Sequence, residues 1–261
     1  MQRLKKYIQI YRISIISIFL IGIIFSLYIR IPDFFSNLIL ILLLVFIRAI
    51  YVSKSKKCFK DFANILDEKC DPEKFIEIQN ELLKMYSLKK YKHYKMITKA
   101  NGLFFAGKYD DAISLLLLID IKKPKLSIEY STYYYYILSR VYFEKKEIAN
   151  FLETKKYIEE LILLSNLKIS TQKYINIHIK NNNARFLFIN NDFENSKKIF
   201  EELLNEATAK RLKVINTYML ACIDLKQGSV EEAKTKFNYV VRNGNKLFYV
   251  TLAKEELEKL M

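Results

Sequence analysis

Two apolar runs open the chain, and after them the pattern changes. From Ile13 to Ile29 no charged residue occurs, with Tyr7 and Tyr11 before the run and Tyr28 near its end. A break, Arg30-Ile31-Pro32-Asp33, precedes a second run from Phe34 to Ile47, which Ala49 to Val52 continue past Arg48. Uninterrupted apolar stretches approaching twenty residues match the length of a helix crossing a bilayer. Beyond Ser53 apolar residues recur every three or four positions, the period of amphipathic helices, and alternation typical of strands is rare. Asp71-Pro72-Glu73 reads as a helix start, with Asp as cap, Pro in the first turn and a carboxylate at the positive end of the helix, opening a helix over Glu73 to Leu88. All three prolines (Pro32, Pro72, Pro124) fall at such boundaries, as expected of an all-α chain.

The two runs are expected to form a transmembrane helical hairpin over 1–53, its membrane contact made by residues 13–52. Arg3, Lys5, Lys6 and Arg12 flank one end and Lys54, Lys56, Lys57 and Lys60 the other, while the turn holds only Arg30 offset by Asp33. The positive-inside rule then predicts a cell-membrane protein with two spans and both termini cytoplasmic. A cleaved signal peptide is the rival reading, but no Ala-x-Ala-like site follows the first run and the second run would be unexplained. Two buried core helices in a soluble fold are the other alternative. Linking helices are expected over 54–92.

The stretch from Lys95 to Pro124, KMITKANGLFFAGKYDDAISLLLLIDIKKP, has a grammar of its own. Ala100 sits within a first helix, Gly107 breaks it, Tyr109 plugs the turn, and Asp110-Asp111-Ala112 opens a second helix running to Pro124. Small residues allow two antiparallel helices to approach, and such a pair leaves an apolar face that needs stacked neighbours. Gly107, Tyr109 and Ala112 resemble the second-helix opening of the tetratricopeptide repeat, with Pro124 at its closing proline. Met96 and Ala100 stand where that family has its first-helix Trp and Gly. The same grammar recurs over Tyr133–Leu163, turning at Lys145-Lys146-Glu147-Ile148 with Phe151 in place of alanine. It recurs over Tyr174–Leu204 through Ala184, Asn191, Phe193, Ser196 and Phe200, and over Val214–Val241 through Ala221, Gly228, Val230, Ala233 and Phe237. The key positions lie 39, 45 and 37 residues apart, longer than the family period of about 34. Leu247–Leu260 reads as a capping helix. The resemblance implies a right-handed α-solenoid over 93–261.

In such arrays the first helices of successive pairs line a concave side that holds an extended or helical peptide. Projecting those faces gives Tyr94, Ile97, Asn101 and Phe104, then Tyr133, Tyr136 and Arg140. Later helices add His178, Asn181 and Arg185, and finally Tyr218. Aromatics supply contact area, Asn pairs with a peptide backbone and Arg grips a carboxylate in two places, so a protein or peptide partner, acidic or ending in a free carboxylate, is expected. For any one of these residues a place in the core is the competing assignment, since four consecutive tyrosines (Tyr133 to Tyr136) cannot all face a groove.

Charge modifies this picture little. The chain has 43 Lys and Arg against 28 Asp and Glu, a net charge of +15. Basic and acidic residues interleave, as in Lys145-Lys146-Glu147 and Glu231-Glu232-Ala233-Lys234, which fits solvated helix faces better than a nucleic-acid stripe. Contact with anionic lipid headgroups or nucleic acid at the membrane surface is the alternative function. Cys58, Cys70 and Cys222 form no Cys-x-x-Cys pair, and His93 and His178 have no second ligand at metal spacing. There is no phosphate-binding Gly-rich loop, His-Glu-x-x-His or Gly-x-Ser-x-Gly, and Asp110-Asp111 is explained by the helix dipole. The sequence thus predicts a non-enzymatic, membrane-anchored adaptor without cofactor, metal or small-molecule substrate.

Overall fold

The computed structural model describes residues 2–28, 33–85, 89–119, 126–163 and 169–260. Among them are twelve α-helices and no strand: α1 (Gln2–Tyr28), α2 (Asp33–Asp67), α3 (Pro72–Met85), α4 (Lys89–Phe105), α5 (Tyr109–Leu117), α6 (Ile128–Glu144), α7 (Ile148–Leu163), α8 (Ile169–Ile189), α9 (Phe193–Asn205), α10 (Lys210–Lys226), α11 (Val230–Asn243) and α12 (Phe248–Lys259). The chain divides into two compact units, Met1–Asn64 and Ile65–Met261.

In the first unit α1 and α2 meet through Tyr11 and Tyr51, whose rings stack at 4.3 Å, and Lys54 Nζ lies 5.3 Å from the centre of the Tyr7 ring. Among the described residues no helix is long and apolar enough to cross a membrane. The expected two spans over 13–52, with both termini cytoplasmic, are therefore corrected. The helices continue past the apolar runs into charge. α1 begins with Arg3, Lys5 and Lys6, and α2 passes unbroken from its apolar half through Arg48, Lys54, Lys56, Lys57 and Lys60 to Asp67. Apolar side chains such as Ile13, Ile16, Leu42 and Phe46 stand exposed along these helices. The turn expected at 30–33 falls largely on residues 29–32, outside the described residues.

The second unit is built on one turn used four times. Gly107, Lys146, Asn191 and Gly228 all have positive φ, between 61° and 81°. The next residue in each case (Lys108, Glu147, Asp192, Ser229) donates its N–H at 2.9 Å to the carbonyl five residues back. That pair of features is the Schellman ending, which satisfies carbonyls left open at a helix C-terminus. The same residue's own carbonyl then accepts from Ala112, Phe151, Ser196 or Ala233, starting the second helix of each pair. These four residues are fully buried, as are Ala100, Ser139, Ala184 and Ala221, seven places before each turn. Thus α4–α5, α6–α7, α8–α9 and α10–α11 are helical hairpins that repeat one geometry. Ser196 adds a bond across its hairpin, donating from Oγ to the Ala184 carbonyl at 2.8 Å.

The helix starts follow local chemistry. Lys74 N–H donates to Asp71 Oδ1 at 3.1 Å, so Asp71 caps α3 as the Asp-Pro-Glu pattern predicts. That helix ends at Met85, and 86–88 lie outside the described residues; α5 ends at Leu117, short of the expected Pro124, which also lies outside them.

The end of this unit returns to its beginning. Lys246 N–H donates to the Cys70 carbonyl at 3.2 Å and Asn245 Nδ2 to the Lys69 carbonyl at 2.7 Å. Arg211 of α10 binds Asp67 Oδ1 through Nη2 at 2.7 Å and Nε at 3.0 Å. α12 lays Phe248 against Tyr109, with ring centres 5.8 Å apart, and directs the Tyr249 hydroxyl to Glu144 at 2.7 Å. Side chains that an open array would offer to a groove are consequently drawn inside.

Candidate functional site

The sixth residue before each left-handed turn is Asn101, Arg140, Arg185 or Cys222, and the first three are buried. Two guanidinium groups therefore lie in the interior of this unit. Arg140, 2% exposed, sits 4.0 Å from the Phe104 ring centre, 4.6 Å from Phe105 and 5.3 Å from Tyr136. Arg185, fully buried, lies 5.2 Å from Phe143 and 5.9 Å from Phe200, and donates to the Asn181 carbonyl at 3.4 Å. Aromatic faces stabilise a cation, more strongly where water is excluded.

These arginines are short of acceptors. The Nε and Nη2 atoms of both have no hydrogen-bond partner among the described residues, and neither arginine forms an ion pair within 4.0 Å there. Arg211 shows the contrast, since its Nε and Nη2 are both satisfied by Asp67. Burial opposes the charge of Arg140, but the oxygens of Tyr136, Tyr249 and Glu144 outweigh it and hold its pKa above the usual arginine value. Burial raises the Glu144 carboxyl above its ordinary range, against the pull of Arg185, the Tyr249 hydroxyl and Arg140. One carboxylate thus stands near two buried guanidiniums.

Beside Arg140 lies a cavity of about 280 Å³. Asn101 of α4 and Tyr133, Tyr136 and Arg140 of α6 line one part; His178 and Asn181 of α8 and Arg211 and Asn216 of α10 add to it. Ile177, Leu203, Ala207 and Leu212 give it aliphatic walls. The Tyr136 hydroxyl donates to Asn181 Oδ1 at 3.0 Å, fixing both side chains. His178 stacks on Tyr136 at 3.9 Å, and burial, then Arg140 and Arg211, depress its pKa to about 3. The imidazole is neutral at physiological pH. Glu206 is the acidic residue of the lining, and it shares Lys180, at 2.9 Å, with Glu202, at 3.2 Å.

Six of the eleven predicted groove residues converge on this cavity: Asn101, Tyr133, Tyr136, Arg140, His178 and Asn181; Ile97 is fully buried. Tyr94 is instead half-buried and stacks on Tyr130 with ring centres 4.0 Å apart. Phe104 is a floor for Arg140, and Arg185 is buried behind it among Phe143 and Phe200. Tyr218 packs against Phe237 and Tyr249. Sequence reasoning missed Arg211, Asn216 and the aliphatic wall. Leu212 and Asn216, four apart on α10, carry a helical-face signal, whereas the placement of Arg211 depends on a bond to a residue 144 positions away.

On the surface many basic residues are tied to nearby acids, including Lys155–Glu159, Lys156–Glu160, Lys234–Glu231 and Lys259–Glu256. Such pairs leave little continuous positive field. Among the described residues no group of three or more His, Cys, Asp or Glu could hold a metal ion. No known protein family matches the chain, and no curated protein or solved structure does.

Proposed function

We propose that the second unit is a non-enzymatic binding module of tetratricopeptide type, a short right-handed α-solenoid whose four hairpins recruit a protein or peptide partner. The observation that carries this reading is the convergence of Asn101, Tyr133, Tyr136, Arg140 and Asn181, from three helices, on one cavity. Amide and guanidinium donors beside aromatic faces are the groups by which a helical array holds a peptide. Because the array returns on itself, the partner presents a terminus or one acidic side chain to the cavity mouth and does not lie along an open groove.

The test is crosslinking of the full chain in cell extract followed by mass spectrometry, with Tyr133→Ala and Asn181→Ala compared after circular dichroism has established that both fold. A protein recovered with the parent chain and lost with both variants supports the reading. Equal recovery with all three, or no recovery with any, counts against it.

A further inference from the structure

The first unit is polarised along its length. α1 and α2 run antiparallel, since Tyr11 meets Tyr51 and, one turn on, Tyr7 meets Lys54. On one side of the Tyr11–Tyr51 pair the side chains Ile13, Ile16 and Leu20 of α1 and Leu42, Val45 and Phe46 of α2 are each more than half exposed. On the other side Arg3, Lys5 and Lys6 of α1 and Lys54, Lys56, Lys57 and Lys60 of α2 are exposed. Between Gln2 and Lys60 the sequence has a single acidic residue, Asp33. At the border a groove of about 220 Å³ lies between the helices, walled by Ile10, Ile47 and Ile50, with Tyr7, Tyr51 and Lys54 toward its basic end.

Single exposed apolar residues are ordinary on a protein surface, whereas a contiguous apolar patch marks an interaction site. The shape of this patch selects its occupant. Ile41, Leu42 and Leu43 are all exposed and follow one another, and at 3.6 residues per turn they spread over roughly 200° of the helix. A packed partner helix covers a stripe only ~100° wide, so a second protein surface leaves part of the patch in water. Fluid acyl chains cover it from every side. Charge agrees with this choice: Arg48, Lys54, Lys56 and Lys57 form no ion pair within 4.0 Å among the described residues, and basic side chains beside an apolar surface draw anionic headgroups. Tyr7, Tyr11 and Tyr51 stand at the border, where rings with one wet end favour a lipid interface.

We infer that the α1–α2 hairpin docks on an anionic phospholipid surface and holds one lipid in the groove between its helices. The phosphate lies against Lys54, and an acyl chain runs over Ile10, Ile47 and Ile50. Contact of this kind needs no helix that crosses a bilayer. It is independent of partner binding by the second unit, because the groove is formed by α1 and α2 alone.

The test is flotation of the full chain, exchanged out of mild detergent, with vesicles of phosphatidylcholine alone or mixed in equal parts with phosphatidylglycerol. The chain binds the anionic vesicles about tenfold more tightly than the neutral ones, and added salt narrows the difference. Lys54→Glu removes the phosphate contact and Ser14→Phe fills the groove that Ser14 also lines; each weakens binding to the anionic vesicles about tenfold, with helix content unchanged by circular dichroism. Soluble glycerol phosphate does not compete. Equal binding to both vesicles, or parent-level binding by either variant, overturns the inference. Full displacement by glycerol phosphate also overturns it, because the site would then read a free phosphate. So does a chain that stays off the anionic vesicles as a stable dimer by light scattering, since a second copy would then cover the patch.

Discussion

Phe248 of α12 occupies the space in front of Gly107, with ring carbons 2.5 Å from the point where a β-carbon would stand. Gly107 also has a φ of 74°, a conformation that side chains tolerate poorly. Gly228 shares the conformation, at 81°, but nothing lies within 4 Å of its β position. Gly228→Ala should therefore cost about 1 kcal/mol from the backbone alone. Gly107→Ala should cost about 3 kcal/mol, because overpacking against Phe248 adds to the same term. Urea unfolding of both variants checks the difference, and equal costs would show that Phe248 yields freely.

Lys146 makes the second of the four turns with a φ of 61°, where a residue with a β-carbon is strained by about 1–2 kcal/mol. Lys146→Gly relieves that strain and gives back part of it in chain entropy, for a net stabilisation of about 0.5 kcal/mol. A rise in the urea midpoint with unchanged slope is the expected result.

The four turns were legible in the sequence for this reason. Gly107, Asn191 and Gly228 are residue types that accept positive φ, and their spacing to Ala112, Ser196 and Ala233 is constant. The turn at Lys146 was found by spacing alone, with Phe151 filling the position of a smaller residue. The burial of the interior is not legible, because helix periodicity gives a direction for a side chain and not what lies opposite it. Arg140 and Arg185 look like groove residues until α12 and the Asp67–Arg211 bond enclose them. The first unit shows the same limit, since apolar runs were read as bounded spans while α2 continues without a break to Asp67.

Asp67 and Arg211 join elements far apart in sequence through bonds of 2.7 and 3.0 Å. Both side chains are largely covered, at 32% and 14% exposure. A double-mutant cycle with Asp67→Asn and Arg211→Met should give a coupling of about 2 kcal/mol, the range of hydrogen bonds to charged groups. Additive effects would show that the bond contributes nothing net.

His178 makes the fold sensitive to acid. Its pKa falls from 6.5 to about 3 on folding, so the unfolded chain binds a proton first as pH drops. Its stabilising contribution is complete above pH 6.5 and is lost as pH falls from there toward 3, at roughly 1.4 kcal/mol per pH step. Comparison of stability against pH for the parent and His178→Gln isolates this group from the carboxylates. The variant should lose less stability between pH 6.5 and 4, and parallel curves would refute the assignment.

Cys222 should be a poor nucleophile. Burial, moderated by a hydrogen bond with Tyr218, pushes its thiol up to about 12, so almost no thiolate exists at pH 8. Timed alkylation with peptide mapping should find Cys222 unmodified in the native protein and modified in urea. Rapid native modification would mean that α10 opens locally.

The bonds from Lys246 to Cys70, from Asn245 to Lys69 and from Arg211 to Asp67 bear on how this unit unfolds. A linear stack of helical hairpins frays from its ends, because each terminal repeat has a neighbour on one side only. Here each end is the other's neighbour. Loss of α12 would bare the first hairpin as well as the last, so the array should melt as one cooperative body. Its folding must wait for contacts that span nearly the whole unit, which places it among slow folders for an all-helical protein.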